Sequence, residues 1–253
     1  MKTNYSELES IIYRYNSLTS TQAEAKRLAL NGIQTAIVTA NEQTSGKGRC
    51  DRSWESPRDG GLYVSFLVRP RIHPSNIHLI NLAAGLAVAS FLRYSYGISA
   101  ALKWPNDVII EEEGTIKKIC GILSEASIYD AEVKFCIVGI GINCKRESIP
   151  AELSRRACAL DEYVNNIDKK DLLKGISSEL FSRIENFELQ GAEKILQEYI
   201  PFCTTIGRAV QIETGERTIN GTAIGIGQSG ELLAETKNGV EKFSSGDVFH
   251  ATI

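Results

Sequence analysis

Residues 101–143 read ALKWPNDVIIEEEGTIKKICGILSEASIYDAEVKFCIVGIGIN. They hold a close series of strand patterns: 101–104 resuming at 108–110 after a Pro105-Asn106-Asp107 turn, then 119–126, then 133–142. In the last of these, glycines alternate with apolar residues, Val138-Gly139-Ile140-Gly141-Ile142-Asn143. Glycine at every second strand position lets something lie against the backbone, either a ligand or a tightly packed helix. Strands this close together, bounded by helical patterns, predict a mixed β-sheet flanked by helices, an α+β fold.

Working outward, Thr21 and Glu24 have the spacing of a capping box and open a helix that ends at Asn31-Gly32. A strand is expected at 35–40 and another at 62–68. Between them, residues 41–61 form a polar loop with four glycines and no periodicity, long enough to suspect function. Ile77, Ile80, Ala84, Ala87 and Phe91 mark a helix over 75–96, stopped by Gly97. Further helices are expected at 169–189 and 191–200. After Pro201 the pattern changes to short strands at 210–213, 217–226, 232–236, 240–243 and 248–252. Thr214-Gly215, Ser229-Gly230, Asn238-Gly239 and Ser245-Gly246 separate them. The change of pattern divides the chain into a unit 1–203 and a small β unit 204–253.

Of 253 residues, 43% are apolar and 23% charged, the composition of an ordinary globular chain. The net charge of −3 gives no whole-chain attraction to nucleic acid or anionic lipid. Apolar stretches break before the ~18 residues a membrane helix needs. Residues 1–16 lack a signal-peptide layout, so a cytoplasmic location is expected. None of the six cysteines form C-x-x-C or stand at zinc-finger spacing from a histidine, and reduced, mostly buried thiols without a bound metal are expected.

Besides Val138 to Asn143 and the run Lys117-Lys118-Ile119-Cys120-Gly121-Ile122-Leu123-Ser124-Glu125, two segments carry chemistry. In Gly46-Lys47-Gly48-Arg49-Cys50-Asp51-Arg52-Ser53-Trp54, the glycines let backbone amides approach an anion, and three cations lie within six residues. A phosphate or carboxylate fits; so does a solvated basic loop. In Lys103-Trp104-Pro105-Asn106-Asp107, Pro-Asn-Asp serves the turn, but nothing about a turn requires Lys-Trp.

Taken in order, Ser20-Thr21, Gly46-Lys47-Gly48-Arg49 with Trp54, Lys103 to Asp107, Lys118-Ile119-Cys120-Gly121-Ile122 and Gly139 to Asn143 resemble the biotin–protein ligase family. The resemblance spans roughly residues 17–165. It implies the catalytic fold shared by biotin and lipoate ligases, which is like that of class II aminoacyl-tRNA synthetases. The C-terminal segment is similar to the family's SH3-like domain, so a small β-barrel is expected there. The chain departs from the usual pattern at Lys47, commonly Arg, at Cys120, commonly Ala, and at Gln22, commonly Asn. Lys47 keeps the charge but loses the planar fork. Too few residues precede Ser20 for the DNA-binding domain of bifunctional members, so a ligase-only protein that binds no DNA and no membrane is expected.

The resemblance implies a two-step reaction. The biotin carboxylate attacks the α-phosphate of ATP to give biotinyl-5′-AMP, and a lysine of a biotin carboxyl carrier protein of a carboxylase then displaces AMP. Arg49 and Lys118 are the implied catalytic cations. Ser20, Thr21, Gln22, Gln43, Lys47, Gly48, Gly121, Gly139 and Gly141 would join them around biotin. Arg49, Arg52, Trp54, Lys103, Asn106, Asp107 and Asn143 would serve ATP and the adenylate, with Asp107 touching the Mg²⁺ that ATP carries. An ionised carboxylate needs no general base. Residues 44–57 should have few contacts to hold them and should order as a lid when an anion binds. Two copies could pair through the main sheet. The alternative in the same superfamily is a lipoate–protein ligase or octanoyltransferase. A non-enzymatic repressor or nucleic-acid module would differ in class, but residues 207–253 carry no basic stripe.

Overall fold

In the computed structural model, residues 11–215 and 217–250 are described. Seven strands make the main sheet: β1 (Ile12–Tyr15), β2 (Ala36–Ala40), β3 (Gly61–Val68), β4 (Ala100–Lys103), β5 (Asp107–Glu112), β6 (Thr115–Tyr129) and β7 (Glu132–Asn143). Their order is β1-β2-β3-β7-β6-β5-β4. Only β1 and β2 run parallel; the other neighbours are antiparallel. The helices are α1 (Thr21–Leu30), α2 (Ile77–Tyr96), α3 (Lys169–Gln190) and α4 (Ala192–Tyr199).

Strand alternation sorts the two faces of this sheet. Even-numbered Leu62, Val64, Phe66 and Val68 join Val138, Ile140 and Ile142 in the large core beneath α2 and α3. Phe66 is fully buried, and truncating it to Ala would cost about 3–5 kcal/mol. Odd-numbered Leu67, Phe135 and Ile137 lie on the other face, in a second cluster with Ala25, Leu28 and Ala29 of α1. Further along that face stand Gly139, Gly141 and Gly121 rather than apolar side chains. Gly141 pairs with both Tyr63 and Gly121, and Gly139 with both Ser65 and Leu123. The sheet therefore has a bare patch where α1 begins.

One helix, Pro74–Tyr96 counted with its first turn, is long and apolar enough to cross a membrane by composition alone, contrary to the sequence expectation. In this fold 67% of that window is buried, as suits a core helix. The N-cap of α1 also differs. Ser20, not Thr21, caps the helix and accepts from Ala23 N–H. Glu24 turns instead to Arg27 and to the Tyr15 hydroxyl. Thr21 is thereby released for the site. β1 was not expected: it is a four-residue edge strand whose only described partner, β2, lies about 25 residues away in sequence.

The C-terminal strands are β8 (Ala209–Thr214), β9 (Arg217–Ile226), β10 (Leu232–Thr236), β11 (Gly239–Phe243) and β12 (Asp247–His250), in the order β11-β10-β9-β8-β12. The expected strand 248–252 has its last two residues outside the described ones. The expected barrel is not closed: β11 and β12 form opposite edges with no pairing between them among the described residues. The apolar side chains that closure would cover, such as Val210, Ile212 and Leu232, already lie in the same core cluster as α2 and the main sheet. The indole N–H of Trp104 donates to Gly230 O (2.9 Å), and its backbone N–H donates to the Thr205 hydroxyl. Arg208 forms a two-pronged bond with Glu111, to its Oε1 at 2.8 Å and its Oε2 at 2.7 Å. All six cysteines are free thiols, five buried and Cys50 exposed.

Candidate active site

A cavity of about 60 Å³ opens over the bare glycine patch. The eleven residues that the resemblance assigned to biotin all line it. Its inner end is polar and uncharged. Gln43 Oε1 accepts from the Thr21 N–H (2.9 Å) and hydroxyl (3.0 Å), and Gln43 Nε2 donates to Ser56 Oγ (2.8 Å). Gln22 Nε2 reaches the carbonyls of Leu123 and Ile137, while Ser65 Oγ donates to Gln22 Oε1 and lies 2.8 Å from Thr21 Oγ1. Gly139 is required here: a Cβ there would stand 2.6 Å from Gln22 Oε1. Cys120 faces the other side of the sheet, in the large core, and burial pushes its thiol well up, so it stays neutral.

The outer end is cationic. Between β5 and β6 the register shifts, so that Val108 pairs with Cys120 and Ile109 with Lys118. This bulge re-aims one residue, and Lys118 rather than Lys117 lines the cavity. Lys118 Nζ lies 2.6 Å from Asp107 Oδ1 as an ion pair and 5.2 Å from the centre of the Trp54 ring. Its backbone is clamped from the other side: Lys118 N–H donates to Arg156 O (2.8 Å) and Cys158 N–H to Lys118 O (3.0 Å).

The loop after β2 folds back as a small hairpin, with Gly48 N–H on Arg52 O and Trp54 N–H on Gly46 O. Trp54 lies flat on the glycine floor; a Cβ on Gly141 would stand 2.5 Å from its Nε1 and one on Gly121 2.8 Å from Cζ3. Arg49 donates to Asn106 Oδ1 (2.9 Å) and to Gly246 O (3.3 Å). Arg52 pairs with Asp247, which lies 3.9 Å from Arg49 as well. The expectation that this loop has little to hold it is therefore corrected. The missing counter-charge is Asp247, brought in by β12.

A second cavity of about 580 Å³ adjoins the first across Trp54. Arg49, Arg52, Trp54, Asn106, Asp107 and Asn143 line it, six of the seven residues assigned to the nucleotide. Lys103 lines neither cavity. It is turned towards the Phe249 ring, 5.9 Å from its centre, and burial draws its ammonium below the usual lysine range against the pull of Asp107. The Asn143 amide serves the wall, donating to Cys158 O at 3.1 Å. Sequence reasoning missed Ser65, Asp247 and the wall from Ser148 to Ala157. A lone serine in the otherwise apolar and aromatic β3 was a readable signal for Ser65; the other two come from distant chain without a local motif. No three His, Cys, Asp or Glu residues come together as a metal-ligand set among the described residues.

The sequence pattern of the biotin/lipoate A/B protein ligase family matches residues 13–143, and that of the biotin protein ligase C terminal domain matches residues 205–251. The bifunctional ligase/repressor BirA of Bacillus subtilis is 32% identical over 244 residues, covering 95% of this chain and 74% of that protein. A biotin–[acetyl-CoA-carboxylase] ligase of Paracoccus denitrificans is 27% identical over 91% of this chain and 96% of its own. Among solved structures, the biotin protein ligase of Aquifex aeolicus in complex with biotin and ATP superposes with a TM-score of 0.79 at 30% identity, over 95% of this chain and 99% of that one.

Proposed function

Because this chain belongs to the biotin/lipoate A/B protein ligase family, we propose a residue-level account of its activity from the geometry above. The activity is ATP-dependent protein biotinylation, in keeping with relatives named biotin–[acetyl-CoA-carboxylase] ligase rather than lipoate ligase. One observation carries the account: a neutral polar slot and a charged cavity abut at Arg49, Trp54 and Lys118.

The inner end of the slot offers donors and acceptors from Thr21, Gln22, Gln43 and Ser65 to the fused urea ring of biotin. The ring lies on Gly139, and the valeryl chain runs along Gly141 and Gly121 towards Lys118. The cavity of about 60 Å³ has room for only a few water molecules, so Trp54 lifts to admit the bicycle. The carboxylate then meets the α-phosphate beside Lys118 and Arg49. Two anions are being forced together, so fixed cations at that junction supply the main stabilisation. The carboxylate oxygen forms a bond to phosphorus, and pyrophosphate leaves with the electron pair of the broken P–O bond. Arg52 and Asn106 hold the polyphosphate, and the wall at Ile149, Leu153 and Ala157 faces the base. A Mg²⁺ carried by ATP would be held by the phosphates and the Asp107 carboxylate and would offset the polyphosphate charge. Trp54, lowered again, keeps water from the anhydride.

Incubation with biotin, Mg-ATP and pyrophosphatase yields biotinyl-5′-AMP by mass spectrometry. Addition of a biotin carboxyl carrier domain then yields the biotinylated lysine. Lipoyl- or octanoyl-AMP formed in preference to biotinyl-AMP would overturn the account.

A further inference from the structure

Arg49 lines not two cavities but three. The third, of about 220 Å³, shares Arg49 with the nucleotide cavity but none of that cavity's wall at Ile149 and Leu153. It lies between the start of α2, the stretch of β6 beyond Gly121, and the turns at Gly230 and Ser245 of the C-terminal sheet. It shares Leu123 with the biotin slot. We propose that this third cavity is the path by which the carrier's lysine reaches the anhydride, with Glu125 as the positioning residue for its ammonium.

The inference rests on the activity stated above and deepens it. The acyl carbon forms beside Arg49 and Lys118. With biotin in the slot and AMP in the large cavity, the third opening is the approach to that carbon that neither ligand occupies. Its chemistry fits a long stem with a cationic tip. Asn81 donates to Pro105 O (2.7 Å) and accepts from Ser124 (3.1 Å), which makes a polar, uncharged wall. Leu82 and Leu123 supply apolar surface for a four-carbon stem. Glu125 is the one carboxylate of the lining and is only partly exposed, and its carboxylate makes no hydrogen bond or ion pair among the described residues. In the transfer the lysine ammonium first gives a proton to solvent. The amine nitrogen then bonds to the acyl carbon, the acyl C–O bond to the phosphate breaks with its electron pair going to AMP, and the nitrogen loses its second proton to water.

Synthetic biotinyl-5′-AMP is added to the full chain and biotin transfer to an apo biotin carboxyl carrier domain is followed, with pyrophosphate release from biotin and ATP measured separately. Glu125→Gln raises KM for the carrier about three- to tenfold while kcat changes little, and Glu125→Asp restores most of the loss. Ser245→Trp, at an exposed turn on the rim, lowers transfer on the order of 10²-fold by misplacing the amine. Neither change alters pyrophosphate release. Transfer at the parent rate in both variants overturns the path while leaving the ligase activity intact, as does a fall in pyrophosphate release equal to that in transfer. A parent chain that transfers nothing from the supplied adenylate overturns the activity and the path together.

Discussion

The biotin slot and the nucleotide cavity share a wall but are built on opposite principles. The slot is built within residues 20–141, is uncharged at its inner end, and has its polar atoms satisfied by one another: Thr21 by Gln43, Gln43 by Ser56, Gln22 by Ser65 and two strand carbonyls. The nucleotide cavity is charged, and its loop arginines are held by Gly246 and Asp247, about 200 residues away. A neutral pocket recognises shape and hydrogen bonds; a cavity of paired ions exchanges protein counter-charges for those of its ligand. Mutations on the two sides should therefore fail differently.

The largest expected contrast lies at Lys118. Lys118→Ala should slow adenylate formation about 10²–10³-fold, whereas Lys117→Ala should stay near the parent rate in a pyrophosphate-release assay. Equal losses would mean that the bulge does not select the cation. On the slot side, Gln22→Ala leaves a buried hydroxyl and two carbonyls short of a partner. Biotin affinity by calorimetry should fall about ten- to a hundredfold, with KM for ATP little changed; a matching rise in both would erase the distinction between the two regions.

How much of this contrast could be read from sequence follows from where each group sits. The glycine alternation at Gly139 and Gly141, the Gly46–Arg49 cluster and Lys118 are local patterns, and strand periodicity alone put the glycines on one face. Asp247 was not legible because its role exists only after β12 crosses to the far edge of its sheet and meets a loop 195 residues upstream. β1 escaped because four half-exposed residues gain their partner only through a long-range parallel pairing. The closed barrel, implied by the resemblance to the family's SH3-like domain, failed for a related reason: the core of the larger unit had already covered the face that closure would bury.

A smaller effect sharpens the comparison at the seam where β12 meets the main sheet. Burial, with Lys103 and Arg208 nearby, draws His250 down to about 4, against pull from Glu111. A base whose folded value lies below its unfolded value of about 6.5 is bound by a proton more readily in the unfolded chain. Stability is therefore whole above that value and is lost as pH falls towards 4. With the ring partly reached by solvent, the loss should be about 1–2 kcal/mol, or several degrees in melting temperature. His250→Gln should flatten the curve between pH 6.5 and 4; an unchanged curve would place the acid sensitivity elsewhere. The smallest effect belongs to the exposed pair. Asp247→Asn should speed tryptic cleavage after Arg49 and Arg52 about two- to fivefold in the ligand-free protein, and added salt should reproduce it. Cleavage unaffected by either would show that Asp247 does not hold the loop and that Asn106 and Gly246 suffice through Arg49.

The chain contains two tryptophans. Trp104 is 2% exposed, with its N–H fixed on Gly230. Trp54 rests on two glycines beneath a lysine, with its N–H partnerless among the described residues. One indole thus emits from a constant environment while the other must change surroundings whenever the slot fills. The protein carries its own optical reporter, with an internal reference built in. If the indole must lift before biotin enters, the fluorescence transient in a rapid-mixing experiment will level off at high biotin concentration, at a rate that is the lifting of Trp54 itself.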